Sequence, residues 1–174
     1  MPSTRGAGAS ATPRPARPTP AAADGAAGTT AGPGPLDAMI CFDVYAATRG
    51  LTTAYRPLLD GLGLTYPQYL VMRVLWSRGP SAVRTLVEEL HLDYGTLSPL
   101  LKRLETAGLV RRERRADDER SVLISPTADG AALEARTGHI GEAIQEATGL
   151  TDEETAELSR LLHKLNASVA RTVR

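Results

Sequence analysis

With 174 residues, 42% of them apolar, the chain can bury one ordinary core and leaves little room for a second domain. Its 20 basic and 20 acidic side chains cancel to a formal charge of +0, so no molecule-wide field draws it to nucleic acid. Apolar stretches far short of a bilayer span, and an N-terminus without an apolar core and small-residue cleavage site, predict a soluble cytoplasmic chain with no membrane partner.

Residues 1–35 are built of Ala, Pro, Gly, Thr and Ser with a few Arg. Such a segment buries too little surface to offset its ordering entropy and reads as a disordered tail. Arg5, Arg14 and Arg17 mimic a transit peptide in composition, but the Pro and Gly density opposes the amphipathic helix such signals need. Residues 36–174 form the folded part.

Over residues 36–59, Met39, Ile40, Val44, Tyr45, Leu51, Tyr55, Leu58 and Leu59 recur at mostly helical spacing, and Gly61 and Gly63 end the run. Thr65-Tyr66-Pro67-Gln68 is a capping box opening a second helix over 66–77, which Gly79-Pro80 breaks. A short amphipathic helix over 81–90 is followed by another over 94–106, with Asp93 as its N-cap and Gly108 as its stop. Two short helices joined by a tight turn predict a helix-turn-helix. Strand-like runs at 109–113 and 121–125 flank a polar hairpin tip, 114–120, and predict a β-wing. Helices over 127–148 and 151–173 complete the chain, the latter opened by the box Thr151-Asp152-Glu153-Glu154.

The pattern predicts a mainly α (α+β) winged helix-turn-helix, with 81–125 as the DNA-binding unit and 36–78 and 126–174 as flanking dimerisation and sensor helices. Leu158, Leu161, Leu162, Leu165 and Val169 stripe the last helix, and a partner copy is the natural surface for them to pack on.

In a helix-turn-helix the start of the second helix meets base edges. Asp93, Tyr94, Gly95, Thr96, Ser98 and Pro99 stand there. The hydroxyls of Thr96 and Ser98 suit bases or phosphates, Gly95 allows close backbone approach, and Lys102 and Arg103 suit phosphates. Leu97, Leu100, Leu101 and Leu104 face the core. Arg114, Arg115 and Arg120 at the hairpin tip fit a narrow minor groove, with Asp118 placed to hold Arg120. The plain alternative is a charge run that solvates an exposed hairpin.

Leu36-Asp37 with Cys41-Phe42, the run from Tyr55 to Asp60, Leu64-Thr65-Tyr66-Pro67-Gln68-Tyr69, the run from Asp93 to Glu105, and Asp118-Glu119-Arg120 together resemble the organic hydroperoxide resistance regulators, the single-cysteine branch of the MarR family. The similarity spans everything from Leu36 onward and is strongest between Cys41 and Ser125. It implies a homodimer that represses a peroxide-detoxifying gene on a pseudo-palindromic double-stranded operator. An organic hydroperoxide would oxidise Cys41 and release the DNA. Tyr55 and Tyr66 would hydrogen-bond the sulfur, with Tyr45 a further neighbour. Tyr94 departs from the small residue many relatives carry there, which bears on operator preference; the long tail has no counterpart role.

The chemistry is consistent on its own terms. A thiol attacks peroxide as its thiolate, and a place in the first turn of a helix, expected near Asp37, favours the anion. Phenolic hydroxyls can donate to it. Yet Tyr55 follows Cys41 by fourteen residues, which on one straight helix is about 20 Å. Either the helix breaks near Gly50 or the tyrosines come from the partner chain, and the shared site is the preferred reading. With one cysteine in the chain there is no intramolecular disulfide, so a sulfenic acid passes to a low-molecular-weight thiol, to a backbone nitrogen or to over-oxidation.

Two rival functions remain at this level. A non-redox regulator would place Tyr45, Tyr55, Tyr66 and Trp76 around a phenolic or lipophilic ligand. A thiol peroxidase needs a recycling route, and neither a resolving cysteine nor a Cys-x-x-Cys motif is present, so no enzyme is expected. His91, His139 and His163 have no ligand spacing, and neither metal nor cofactor is implied.

Overall fold

The computed structural model describes residues 34–36, 38–114 and 122–172, with the backbone but not the side chain of Arg114. Asp37, the tail before residue 34, and the hairpin-tip residues Arg115, Asp118 and Arg120 lie outside the described residues.

Helix α1 (Ile40–Asp60) is continuous across Gly50. It starts later than the apolar pattern suggests, after Met39 in an extended conformation. Thr48, Thr52 and Thr53 donate their hydroxyls to the carbonyls of Val44, Thr48 and Arg49, one turn back, which lets these residues sit mid-helix without competing for the backbone. After Leu64, helix α2 (Tyr66–Arg78) opens with the expected box: the Thr65 N–H and hydroxyl both donate to Gln68 Oε1, at 2.9 and 3.0 Å. It carries Val71, Met72 and Leu75 into the core.

Gly79, at φ 75°, and Pro80 then turn the chain into a two-residue strand, β1 (Ser81–Ala82). The sequence pattern assigns these residues to a helix. They are extended because they pair with Leu123 and Ile124, a contact distant in sequence. Helix α3 (Val83–Leu90) ends at His91, a non-glycine residue in the left-handed region at φ 51°. Helix α4 (Tyr94–Thr106) follows, capped by Asp93 and stopped at Gly108, at φ 71°. Leu97, Leu100, Leu101 and Leu104 are all buried, as their spacing predicts.

Strands β2 (Val110–Arg114) and β3 (Val122–Pro126) form an antiparallel hairpin in register Val110 to Pro126 through Arg114 to Val122. With β1 they make a three-stranded sheet in the order β1-β3-β2. Arg114, expected in the hairpin tip, is the last residue of β2 because it pairs with Val122.

The single helix expected over 127–148 is instead α5 (Ala128–Ala132), a 3-10 turn (Leu133–Arg136) and α6 (Gly138–Thr148). The buried Thr137 donates its hydroxyl to the Glu134 carbonyl at the break, Arg136 reaches the Gly61 carbonyl at 2.7 Å, and Ile140 re-enters the core. Helix α7 (Asp152–Thr172) opens with the predicted reciprocal box, Thr151 N–H to Glu154 and Glu154 N–H to Thr151 Oγ1.

Together these elements form a mostly helical winged-helix fold. Its core joins Leu59, the inner face of α2, Leu86, the leucines of α4, Val110, Ile124 and Ile140. Apolar side chains stay uncovered at both ends of the chain. Ile40 on α1, and Leu158, Leu161, Leu165 and Val169 on α7, are exposed, and α7 buries no residue. Among the described residues no helix is long and apolar enough to cross a membrane.

Among the described glycines, Gly130 makes the closest approach to another stretch of backbone. Leu109, between α4 and β2, accepts the Thr127 N–H at 3.0 Å, and the Thr127 hydroxyl donates to Gly108 at 2.6 Å. Gly130 lies against the Leu109 carbonyl so closely that an added Cβ would overlap it. The Trp76 indole N–H donates to the Gly130 carbonyl at 2.9 Å, tying in α2. Gly130→Ala is therefore expected to destabilise the fold by about 3 kcal/mol, the upper end of overpacking costs, lowering Tm by roughly 10 °C. Gly141→Ala on α6, where an added Cβ meets open space, leaves Tm unchanged or raises it. Thermal denaturation of the two variants side by side checks both.

Candidate functional site

Helix α4 presents one buried and one open face. Asp93 Oδ1 accepts the Thr96 N–H, and Oδ2 accepts the Thr96 hydroxyl, both at 2.8 Å. The Ser98 hydroxyl donates to the Tyr94 carbonyl at 2.7 Å. Both hydroxyls thus keep lone pairs directed outward while their protons serve the helix. Pro99 has no N–H, so the carbonyl of Gly95 loses its usual intrahelical donor on the same open face. Tyr94, Gly95, Thr96, Ser98 and Pro99 are exposed, as are Lys102 and Arg103, which carry no ion pair among the described residues. The arrangement offers two cations without an ion pair among the described residues and short polar groups on one exposed face, with the buried leucines on the opposite one.

One contributor escapes sequence reasoning. Arg112 leaves β2 toward α4, its Nε 3.1 Å from Glu105 Oε2. A basic residue in a wing strand gives no sequence signal of which face it takes; only the strand register does so.

The thiol and the tyrosines occupy separate places. Cys41 is exposed at the second position of α1, beside exposed Phe42 and Tyr45, whose rings lie 6.4 Å apart. Arg49 donates to the Tyr45 hydroxyl at 3.1 Å and lies over its ring. Tyr55 and Tyr66 meet across the α1–α2 junction with centroids 4.5 Å apart. Tyr69, which the sequence reading leaves out, packs on Tyr55 at 5.9 Å and on Trp76 at 6.1 Å. Burial raises the Tyr55 and Tyr66 phenols above their ordinary range, with the neighbouring tyrosines adding to it, so both are O–H donors at neutral pH.

Because α1 does not break at Gly50, the fourteen-residue separation of Cys41 from Tyr55 corresponds to about 20 Å within one chain. For the same reason Tyr45, ten residues from Tyr55 or about 15 Å along the helix, does not line one pocket with Tyr55, Tyr66 and Trp76 of its own chain. Trp76 is engaged instead with the Gly130 carbonyl.

Residues 64–122 match the model of the MarR family. The chain is 44% identical over 130 residues to the organic hydroperoxide resistance transcriptional regulator of Bacillus subtilis, covering 75% of this chain and 88% of that one. The chain belongs to the MarR family. A second MarR relative, the transcriptional regulator MgrA of Staphylococcus aureus, is 38% identical over 131 residues, covering 75% of this chain and 89% of its own. Among solved structures, reduced AbfR bound to DNA, a protein of Staphylococcus epidermidis, superposes with a TM-score of 0.64 at 34% identity over 77% of this chain and 92% of that one. This MarR protein is therefore a DNA-binding transcription regulator rather than an enzyme.

The Asp93 cap gives a pH-dependent signature. Hydrogen bonds from Thr96 hold its carboxyl below the usual range. A depressed folded value means that the cap's stabilisation is full above the ordinary carboxylate pKa and is lost as pH falls through the folded value. Asp93→Ala is expected to lower Tm at pH 7, with the gap from wild type closing at acid pH. Asp93→Asn, whose amide oxygen can still accept the Thr96 N–H, falls between the two. Melting curves by circular dichroism from pH 2 to 7 follow this, with the gap full above the ordinary carboxylate value and closing below it.

Proposed function

We propose that this MarR-family protein is a homodimeric cytoplasmic repressor that senses organic hydroperoxides through Cys41 and releases a pseudo-palindromic operator on oxidation. The observation that carries the reading is the separation, along the unbroken helix α1, of the exposed thiol from Tyr55, whose protonated phenol is stacked with that of Tyr66 at the start of α2. Two copies meeting through the uncovered apolar side chains of α1 and α7 would bring the thiol of one to the tyrosines of the other. The similarity to the Bacillus subtilis regulator supports the same chemistry.

In this mechanism the Cys41 thiolate attacks the distal oxygen of the hydroperoxide. The O–O bond breaks, the distal oxygen passes with its hydrogen to the sulfur as a sulfenic acid, and the departing alkoxide takes up a proton from water to leave as an alcohol. The phenols of Tyr55 and Tyr66 donate to the sulfur, with Tyr45 and Phe42 beside it forming an apolar wall. A low-molecular-weight thiol then condenses with the sulfenic acid, releasing water and leaving a mixed disulfide. Oxidation alters the dimer contact at α1 and thereby the spacing of two α4 helices on successive major grooves.

On DNA, Tyr94, Gly95, Thr96, Ser98 and Pro99 meet base edges or nearby backbone, and Lys102 and Arg103 neutralise phosphates. Asp93 holds the start of α4 in place. The hairpin arginines Arg114, Arg115 and Arg120, with Asp118 steadying Arg120, reach the minor groove.

The deciding experiment is a gel shift with the region upstream of the protein's own gene, using wild type and Cys41→Ser before and after one equivalent of an organic hydroperoxide, then reductant. Wild type alone should release DNA and regain it with reductant; release of both proteins alike assigns the response to a non-redox ligand site. Tyr55→Phe and Tyr66→Phe should each slow Cys41 oxidation by about tenfold, the worth of one hydrogen bond to a charged group, without weakening DNA binding. Stopped-flow thiol titration reads that rate.

A further inference from the structure

Arg112 is absent from the set of cations that the sequence assigns to DNA, yet its position ties together the two elements that face it. It lies directly across from Ile124 on β3 and two residues from Val110 on β2. Those two neighbours are fully or almost fully buried. Its stem therefore starts from the core face of the hairpin, whereas Arg111 on the opposite face pairs with Glu113 of its own strand. The guanidinium spans to α4 at two points, with Nε on Glu105 at 3.1 Å and a terminal nitrogen 3.4 Å from the Ser98 carbonyl two turns earlier. Gly95, Ser98, Pro99, Lys102, Glu105 and Arg112 line one groove of about 500 Å³ between the helix and the strand.

We propose that Arg112 is a positioning residue that locks the β2–β3 hairpin to α4, so that both meet the duplex at a fixed separation. The inference rests on the reading of α4 as the DNA-facing helix. Glu105 is then an anchor and not a DNA contact: its carboxylate is tolerated near a polyanion because the guanidinium beside it offsets the charge. Lysine cannot replace this function fully, since an ammonium is a point charge and lacks the planar fork that reaches both Glu105 and Ser98.

The test is the affinity of the full-length protein for its own upstream duplex, by fluorescence anisotropy at several salt concentrations. The variants are Arg112→Ala, Arg112→Lys, Glu105→Gln and the Arg112→Ala/Glu105→Gln pair. Positioning predicts that Arg112→Ala and Glu105→Gln each weaken binding roughly fivefold, and that the double variant is no worse than Arg112→Ala alone. Arg112→Lys recovers part of the loss, and the slope of affinity against salt stays that of wild type. A slope reduced by about 0.9, with Glu105→Gln binding tighter than wild type, makes Arg112 a phosphate contact and overturns the proposal. Wild-type affinity in all four variants overturns it equally. Glu105→Gln changes an exposed side chain without altering its shape, so it tests the pair even where Arg112→Ala loses stability. If Lys102→Ala and Arg103→Ala also leave wild-type affinity and slope, the reading of α4 fails and takes the proposal with it.

Discussion

The joint between the helix-turn-helix and the wing hangs on a backbone contact with no side chain in it. The carbonyl of Leu109 sits against Gly130 and accepts the N–H of Thr127, at the junction where α4 passes into β2 and β3 passes into α5. Buried carbonyls need donors, and close backbone approach needs a residue without a Cβ; Thr127 supplies the first and Gly130 the second. Trp76 fastens the same point to α2, whose inner face forms the floor under the leucines of α4. Helix α4 is thus held along its back by hydrocarbon, at its exit by hydrogen bonds and from β2 by Arg112, and on its exposed face only the Asp93 cap and the Arg112 contacts serve the fold.

That division explains why a chain of zero formal charge can still address a polyanion. Cations are not in excess; they are sorted. Glu88, Glu105, Glu113 and Glu157 are taken up by Arg84, Arg112, Arg111 and Arg160, while Lys102 and Arg103, on the open face of α4, carry no ion pair among the described residues. Exposed pairs of this kind add little stability. Their effect is to set which positive charges remain visible from outside.

The sequence made the helical parts legible because each carries a local signature. The Leu97, Leu100, Leu101, Leu104 spacing, the Asp93 cap and the Thr151 box all act within one or two turns, and each is found where its pattern puts it. The features that escaped are those settled by partners far along the chain. β1 has two residues, too few for any period, and exists only because Leu123 and Ile124 pair with it. The break at Thr137 answers to Arg136 reaching Gly61 and to Ile140 entering the core. Tyr69 and Arg112 belong to the sites through packing and strand register, which no spacing rule encodes. The thiol and the tyrosines were legible as residues, and the continuity of α1 across Gly50 excludes the broken helix, one of the two arrangements their spacing left open.

The unbroken length of α1 has a genetic consequence. In the proposed reading a single chain carries the thiol near one end of that helix and Tyr55 near the other, about 20 Å away, with Tyr66 beside it on α2, and so holds the two halves of a site without assembling them. Mixing a chain that lacks the thiol with a chain that lacks the phenols would then yield a heterodimer in which one composite site is whole and the other lacks both parts. Two alleles, each impaired alone, would complement one another in the same cell.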